Sequence, residues 1–237
     1  MLSKTMNIKI FADGADSKHI LKLNQNEMVK GFTTNPTLMK KAGIKDYKEF
    51  AMDLLSHIQD KPISFEVFED DIDKMYDQAI EINSWGKNVN VKIPITNTES
   101  LSCSELIQTL SKKGVHCNVT AIFTINQIES VLKNLNKDSK IILSIFAGRI
   151  ADTGRDPIPI MKDAISITKD YSFSEILWAS PREALNIIQA DQLGCHIITL
   201  TPDLINKINN FGKNLEEFSL ETVKMFYNDA KSSNYNF

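Results

Sequence analysis

The chain has 237 residues, 42% of them hydrophobic and 24% charged, which is ample for a packed core and excludes both a disordered chain and a disulfide-stapled miniature. Its 27 basic and 30 acidic side chains leave a formal charge of −3, so the basic excess of a nucleic-acid or membrane-surface binder is missing. No apolar run approaches the roughly 20 residues that a membrane span requires.

Short β-rich runs alternate with amphipathic stretches from end to end. The first run is IKIFADG from Ile8, and GFTTNPT from Gly31 is the second. ISFEVF from Ile63 follows, then a helical stripe of Ile72, Met75, Tyr76, Ala79 and Ile80 with apolar residues three and four apart. VNVKIPIT from Val89 precedes the stripe Leu101, Leu106, Ile107, Leu110; VHCNVTAI from Val115 precedes Ile128, Val131, Leu132, Leu135. KIILSIFA from Lys140, EILWAS from Glu175 and CHIITLTP from Cys195 complete a set of eight. Gly43, Gly86, Gly114 and Gly194 stand where helical stretches close. LEEFSLETVKMFYNDAK predicts one further helix over 214–231, with the polar tail KSSNYNF beyond it.

Strand–helix alternation implies parallel strands joined by right-handed crossovers, because each helix must return the chain to the same end of the sheet. Eight such units close into a (β/α)8 TIM barrel; the open doubly wound sheet is the alternative, but no G-x-G-x-x-G follows the first strand. No Gly/Ser/Pro-rich linker divides the chain, so the expectation is one α/β barrel domain over 1–237 with an extra C-terminal helix. The first six residues lack the apolar stretch of a signal peptide. Cys103, Cys117 and Cys195 form no C-x-x-C pair, so free thiols in the cytoplasm are expected.

Alternation sorts each run into two faces. In VNVKIPIT, Val89, Val91, Ile93 and Ile95 oppose Asn90, Lys92 and Pro94; in VHCNVTAI, Val115, Cys117, Val119 and Ala121 oppose His116, Asn118 and Thr120. Apolar faces belong under the helices, which turns Asp13, Thr33, Asn35, Glu66, Lys92, Asn118, Thr120 and Ser144 into the barrel, most of them late in their strands. Barrel interiors are normally filled by Val, Ile and Leu, and active sites lie at the C-terminal face. So many interior polar groups cost free energy unless they pair with one another or with a ligand.

Lys92 is the sharpest of these signals. An inward lysine in an apolar strand loses hydration, which favours the free amine that Schiff-base chemistry on a carbonyl requires. The structural alternative is an ion pair with Glu66, or a side chain that reaches out of the barrel mouth. Glu66 and Asp13 supply two carboxylates for proton transfer if their environments set them apart. His116 and His196 share no metal-ligand spacing and read as interior histidines; no metal or other cofactor is expected.

GFTTNPTLM, VNVKIPIT, NVTAIFT and SIFAGRIAD, in this order and at this spacing, resemble the transaldolases, and look most like the short subfamily that includes fructose-6-phosphate aldolases. The likeness runs from FADGAD to ITLTPDL. It implies a metal-free class I mechanism in which Lys92 forms the Schiff base and Glu66 shuttles protons through a water held at Thr120. Asp13 would then take a hydroxyl proton as the carbon–carbon bond breaks. Thr33 joins the same inward cluster, Asn35, Asn118 and Ser144 match positions that hold substrate hydroxyls, and Arg149 matches a phosphate-binding arginine. Glu66 and Phe146 match transaldolases, where the aldolase branch carries glutamine and tyrosine; a phenylalanine removes a hydroxyl that could protonate the carbanion. The resemblance therefore implies transfer of a dihydroxyacetone unit between sugar phosphates. The alternatives are an aldolase acting on a ketose or ketose phosphate and a non-catalytic sugar-binding barrel.

Three departures from that pattern stand out. Gly14, Ala15 and Asp16 follow Asp13 where the family has Thr–Ala–Asn or similar, and Ile145 stands where proline is common. WASPREAL runs Ala179, Ser180, Pro181, Arg182 directly, where relatives place about three more residues, one of them basic and phosphate-binding. Ser180 and Arg182 are the substrate-binding candidates in this segment. Relatives also use the last helix to associate, so a homo-oligomer is expected.

Overall fold

Alternation of small or polar with branched side chains produces, in the computed structural model, eight parallel strands that pair in sequence order and close on themselves. The structure describes residues 6–233 and 235. The strands are β1 (Lys9–Asp13), β2 (Val29–Thr33), β3 (Ile63–Glu66), β4 (Val89–Pro94), β5 (Cys117–Ile122), β6 (Ile141–Ile145), β7 (Ser174–Trp178) and β8 (Ile197–Leu200). Between them run α1 (Ser17–Asn24), α2 (Pro36–Lys41), α3 (Tyr47–His57), α4 (Ile72–Ser84), α5 (Ser104–Lys112) and α6 (Ile125–Leu132). They continue with α7 (Ala147–Asp152), α8 (Ile158–Ile167), α9 (Leu185–Gln192), α10 (Pro202–Lys207) and α11 (Leu215–Ser232). The fold is the expected (β/α)8 barrel.

Contacts divide the chain into two compact units. The larger, Asn7–Ile205, contains every strand. The smaller runs on from Asn206 and carries α11, whose Asn214 side chain accepts from the backbone N–H groups of Glu216 and Glu217 as an N-cap. The expected helix over 214–231 therefore starts one residue later and ends one later. No residue of α11 is buried, and Leu215, Phe226 and Tyr227 are more than 60% exposed. The tail beyond it lies largely outside the described residues.

Asp and Asn side chains fix where several barrel helices begin. Asp16, Asp46 and Asp71 accept from the N–H groups of His19, Glu49 and Lys74 to cap α1, α3 and α4, and Thr124 with Gln127 forms a capping box on α6. The buried stripe of α4 is Met75, Ala79 and Ile82, rotated from the expected one; Tyr76 and Ile80 are only half-buried. Leu101 lies before α5 and is exposed, and Leu135 lies beyond α6. Both helices are shorter than the apolar stripes suggested.

Hydrogen bonds between strands that are not neighbours, such as Asn118 of β5 to Ser64 of β3, run across the lumen and identify the inward face. One side of the interior is apolar: Phe11, Ile142, Leu177, Ala179 and Ile197 pack together. Gly31 makes room for them, since a Cβ there would lie 2.6 Å from the Phe11 ring. In β5, strict alternation breaks. Ala121 has φ +59°, and the register jumps from Val119–Leu143 to Ile122–Ile145, a bulge that sets Thr120 and Ala121 against Ser144 alone. Ala121 therefore does not continue the outer apolar face as expected.

At the C-terminal end, Gly148 in α7 lies against the turn after β7. A Cβ on Gly148 would sit 1.5 Å from the Ser180 carbonyl oxygen, and Ser180 itself holds φ +58°. Backbone cannot yield as a flexible side chain would. Gly148→Ala is expected to cost about 3 kcal/mol, read as a Tm lower by roughly 10 °C; an unchanged melting curve would show that the two turns are not locked together.

Candidate active site

Register sets the first geometric fact. Parallel pairing places Glu66 beside Lys92 and Lys92 beside Asn118, so three strands present their polar groups at one level. Lys92 is 7% exposed, and its Nζ donates to Glu66 Oε2 at 3.0 Å and to the Thr34 carbonyl at 2.8 Å. Of the two forms of the structural alternative, a lysine reaching out of the mouth is ruled out, and the ion pair with Glu66 is present. Two of the three ammonium donors are committed, which leaves one direction open for an incoming group.

Asp13 ends β1 beside Thr33. Its Oδ1 accepts from the Thr33 hydroxyl at 2.8 Å and its Oδ2 from Asn35 Nδ2 at 3.2 Å. Thr33 in turn is hydrogen-bonded to the Thr199 hydroxyl of β8. Burial pushes the Asp13 carboxyl above the usual aspartate range, against the pull of the Lys92 charge and the two side-chain hydrogen bonds; the Glu66 charge pushes the same way as burial. The Thr-Asn-Pro segment explains itself locally: Asn35 caps α2 by accepting from Leu38 N–H, and Pro36 occupies the first helical turn, where no amide is needed. The cap leaves the Asn35 amide nitrogen free to hold Asp13.

A third group completes the lumen. Ser144 donates to Asn118 Oδ1 at 2.7 Å, and Asn118 Nδ2 donates to Ser64 at 3.1 Å, all three residues buried. Thr120, also buried, pairs in register with Pro94. The Phe146 ring, next after β6, lies 5.8 Å from Phe123 and carries the Arg149 guanidinium at 5.4 Å.

Asp13, Thr33, Asn35, Glu66, Lys92, Asn118 and Ser144 are thus tied into three hydrogen-bonded groups at the C-terminal end. Arg182 is tied elsewhere. Its guanidinium forms a two-nitrogen pair with Asp152 of α7, holding that carboxyl below the usual range with help from Arg149. Ser180 lies in the turn clamped by Gly148.

Sequence reasoning missed three contributors. The Thr34 carbonyl is a backbone group and leaves no side-chain signature, while Thr199 stands on the expected inward face of the last strand and could have been added from alternation. Tyr47 of α3 had no signal. Its hydroxyl accepts from Glu66 N–H at 2.7 Å and donates to the Glu66 carbonyl at 3.0 Å, while its ring stacks on Phe68. Tyr47 thereby fixes the backbone that carries the carboxylate.

The family model described as transaldolase/fructose-6-phosphate aldolase matches residues 10–236. This chain belongs to that family. A probable transaldolase of Dehalococcoides mccartyi is 39% identical over 81% of this chain and 86% of its own length. One from Streptococcus agalactiae is 39% identical over 83% and 86%, and one from Nitrosopumilus maritimus 34% over 85% and 87%. A solved dihydrodipicolinate synthase of Rhodopseudomonas palustris, 12% identical, superposes with TM-score 0.54 over 83% of this chain and 70% of that one, a likeness of fold alone. The chain is accordingly an enzyme of the transaldolase/aldolase type. No described helix is long and apolar enough to cross a membrane.

The raised Asp13 carboxyl has a consequence for stability. A folded-state pKa above the unfolded one means that the charged form costs stability at neutral pH, and that the cost fades as the pH falls through the folded value. Asp13→Asn is expected to melt higher than the wild type at neutral pH. The gap should narrow on acidification, as followed by thermal denaturation across pH; a gap that widens instead would contradict the desolvation.

Proposed function

We propose that the chain is a class I transaldolase that carries a dihydroxyacetone unit on Lys92 between sugar phosphates. The observation that carries this reading is the buried Lys92 amine, 3.0 Å from Glu66, with the desolvated Asp13 carboxyl in the same lumen. Glu66 accepts the proton that the ammonium must lose, and the free amine adds to the ketone carbon of the donor. The resulting carbinolamine loses its hydroxyl as water, with protons passing through Glu66 and a water held by Thr120, and an iminium remains. Ionised Asp13 then takes the proton of the hydroxyl beyond the breaking bond. The bonding pair flows into the iminium, an aldose departs, and an enamine stays on Lys92. Asn35, Asn118 and Ser144 orient its hydroxyls, with Thr33 holding Asp13. The enamine carbon attacks an acceptor aldehyde, Asp13 returns its proton to the new alkoxide, and hydrolysis frees Lys92.

Phe146 supports transfer over release, because its ring offers the enamine no proton. A phosphate at the mouth would meet Arg149 and compete with Asp152 for Arg182, with Ser180 in the adjoining turn. The seven exposed apolar side chains of α11, Leu215, Phe218, Leu220, Val223, Met225, Phe226 and Tyr227, support association between copies. Free, buried Cys103, Cys117 and Cys195 support a cytoplasmic protein.

Borohydride reduction in the presence of fructose 6-phosphate is expected to leave a three-carbon adduct on the Lys92 peptide and none in Lys92→Arg. An adduct on another lysine, or none, would overturn the mechanism. Glu66→Gln should lower kcat by about 100-fold or more, and activity should survive a chelator. Product analysis decides between the two branches: ketone released at full rate without an acceptor aldehyde would make the enzyme a lyase.

A further inference from the structure

The opposite end of the barrel holds a cavity of about 530 Å³ that the reaction does not use. It is built from strand starts: Lys9 opens β1, Lys30 is second in β2, and His116, Lys140 and His196 stand immediately before β5, β6 and β8. Phe11 and Ile142 line it from within the barrel, each two residues short of the Asp13 and Ser144 that serve the other end. The two sites therefore lie on opposite sides of the apolar packing in the lumen.

The lining is rich in donors and poor in acceptors. Three ammonium groups face a single carboxylate, Glu175, and that carboxylate is already paired with Lys9. Among the described residues, Lys30 and Lys140 have no carboxylate within ion-pair distance. The excess is local, since the whole chain carries −3. Gathering like charges at one mouth costs free energy, so it is not a device for stability. Asn90 adds an independent sign. It faces inward from β4, is 6% exposed, lines the cavity, and its carboxamide has no hydrogen-bond partner among the described residues. The carboxamide opens on the cavity, where a ligand atom can reach it. His196 accepts the Ile176 N–H on Nδ1, so its neutral ring carries the proton on Nε2 and is a further donor. Burial lowers its pKa and that of His116, with Lys140 acting in the same direction on His116.

We propose that this N-terminal mouth is a second binding site, one that takes the phosphate group of a small anionic molecule. A phosphate dianion accepts several hydrogen bonds at once and answers the surplus of ammonium groups, with the Asn90 amide available as a neutral donor. The cavity exceeds a bare phosphate and lies within the range of small-molecule sites.

The test is calorimetric titration of the full chain at fixed ionic strength with glycerol 3-phosphate, which has no carbonyl for Lys92, and separately with inorganic phosphate. Arg149→Ala with Arg182→Ala removes both arginine contacts proposed for phosphate at the C-terminal end. In that background, binding should persist, and Lys30→Ala with Lys140→Ala should weaken it about tenfold or more. Asn90→Leu should weaken it as well. Lys30→Ala/Lys140→Ala in the otherwise wild-type chain should keep the melting temperature and the borohydride adduct, showing an intact barrel. Tighter binding of glycerol 3-phosphate assigns the site to a phosphorylated metabolite, and equal binding assigns it to free phosphate; both support it. Absence of binding in Arg149→Ala/Arg182→Ala, or binding indifferent to the two lysines, would overturn it.

Discussion

The pairing of a buried ammonium on β4 with a carboxylate at the same level of β3 is the constraint on which the rest of the site depends. Removing two charges from water costs several kcal/mol per ion, and a hydrophobic pair of the same volume is often at least as stable. Lys92 and Glu66 are thus poor choices for holding a barrel together. They are tolerated because the register brings them to 3.0 Å and the Thr34 carbonyl satisfies a second lysine proton. The stability resides elsewhere, in fully buried Ile, Leu and Phe side chains such as Phe65, Ile93 and Ile107.

Around that pair the lumen is divided by chemistry rather than filled uniformly. Apolar side chains of β1, β6, β7 and β8 close its interior on one side, while β1 to β6 and β8 send polar groups to the C-terminal end. The polar groups form small closed circuits: Thr199–Thr33–Asp13–Asn35, Ser144–Asn118–Ser64 and Lys92–Glu66. Each circuit satisfies most of its own donors, which is how an interior of this polarity survives without collapse. A substrate hydroxyl can exchange into such a circuit, because its members already present the right donors and acceptors in fixed positions.

Side-chain alternation made much of this legible in the sequence. Parallel strands with one face under helices must sort their residues by a period of two, which alone assigns Asp13, Glu66, Lys92, Asn118 and Ser144 to one interior. Contacts that do not follow that period were hidden. Tyr47 reaches Glu66 from a helix 19 residues earlier, the Arg182–Asp152 pair joins segments 30 residues apart, and the bulge at Ala121 depends on a backbone choice that alanine does not advertise. The Gly148 contact with Ser180 belongs to the same class. SIFAG carries its glycine because another segment's backbone occupies the Cβ position, and nothing local to SIFAG says so.

Alternation also couples the two ends of the barrel more closely than their chemistry suggests. Asn90 and Lys92, Phe11 and Asp13, and Ile142 and Ser144 are each two residues apart, about 7 Å along one strand. The first of each pair faces the N-terminal cavity and the second the C-terminal end. A strand that shifts along its axis moves both members together, so the register that aligns Glu66 with Lys92 also sets the depth of Asn90 in the cavity beneath. The two polar ends are in this way held by one set of backbone hydrogen bonds, with Phe11 of β1 and Ile142 of β6 belonging to the apolar packing between them.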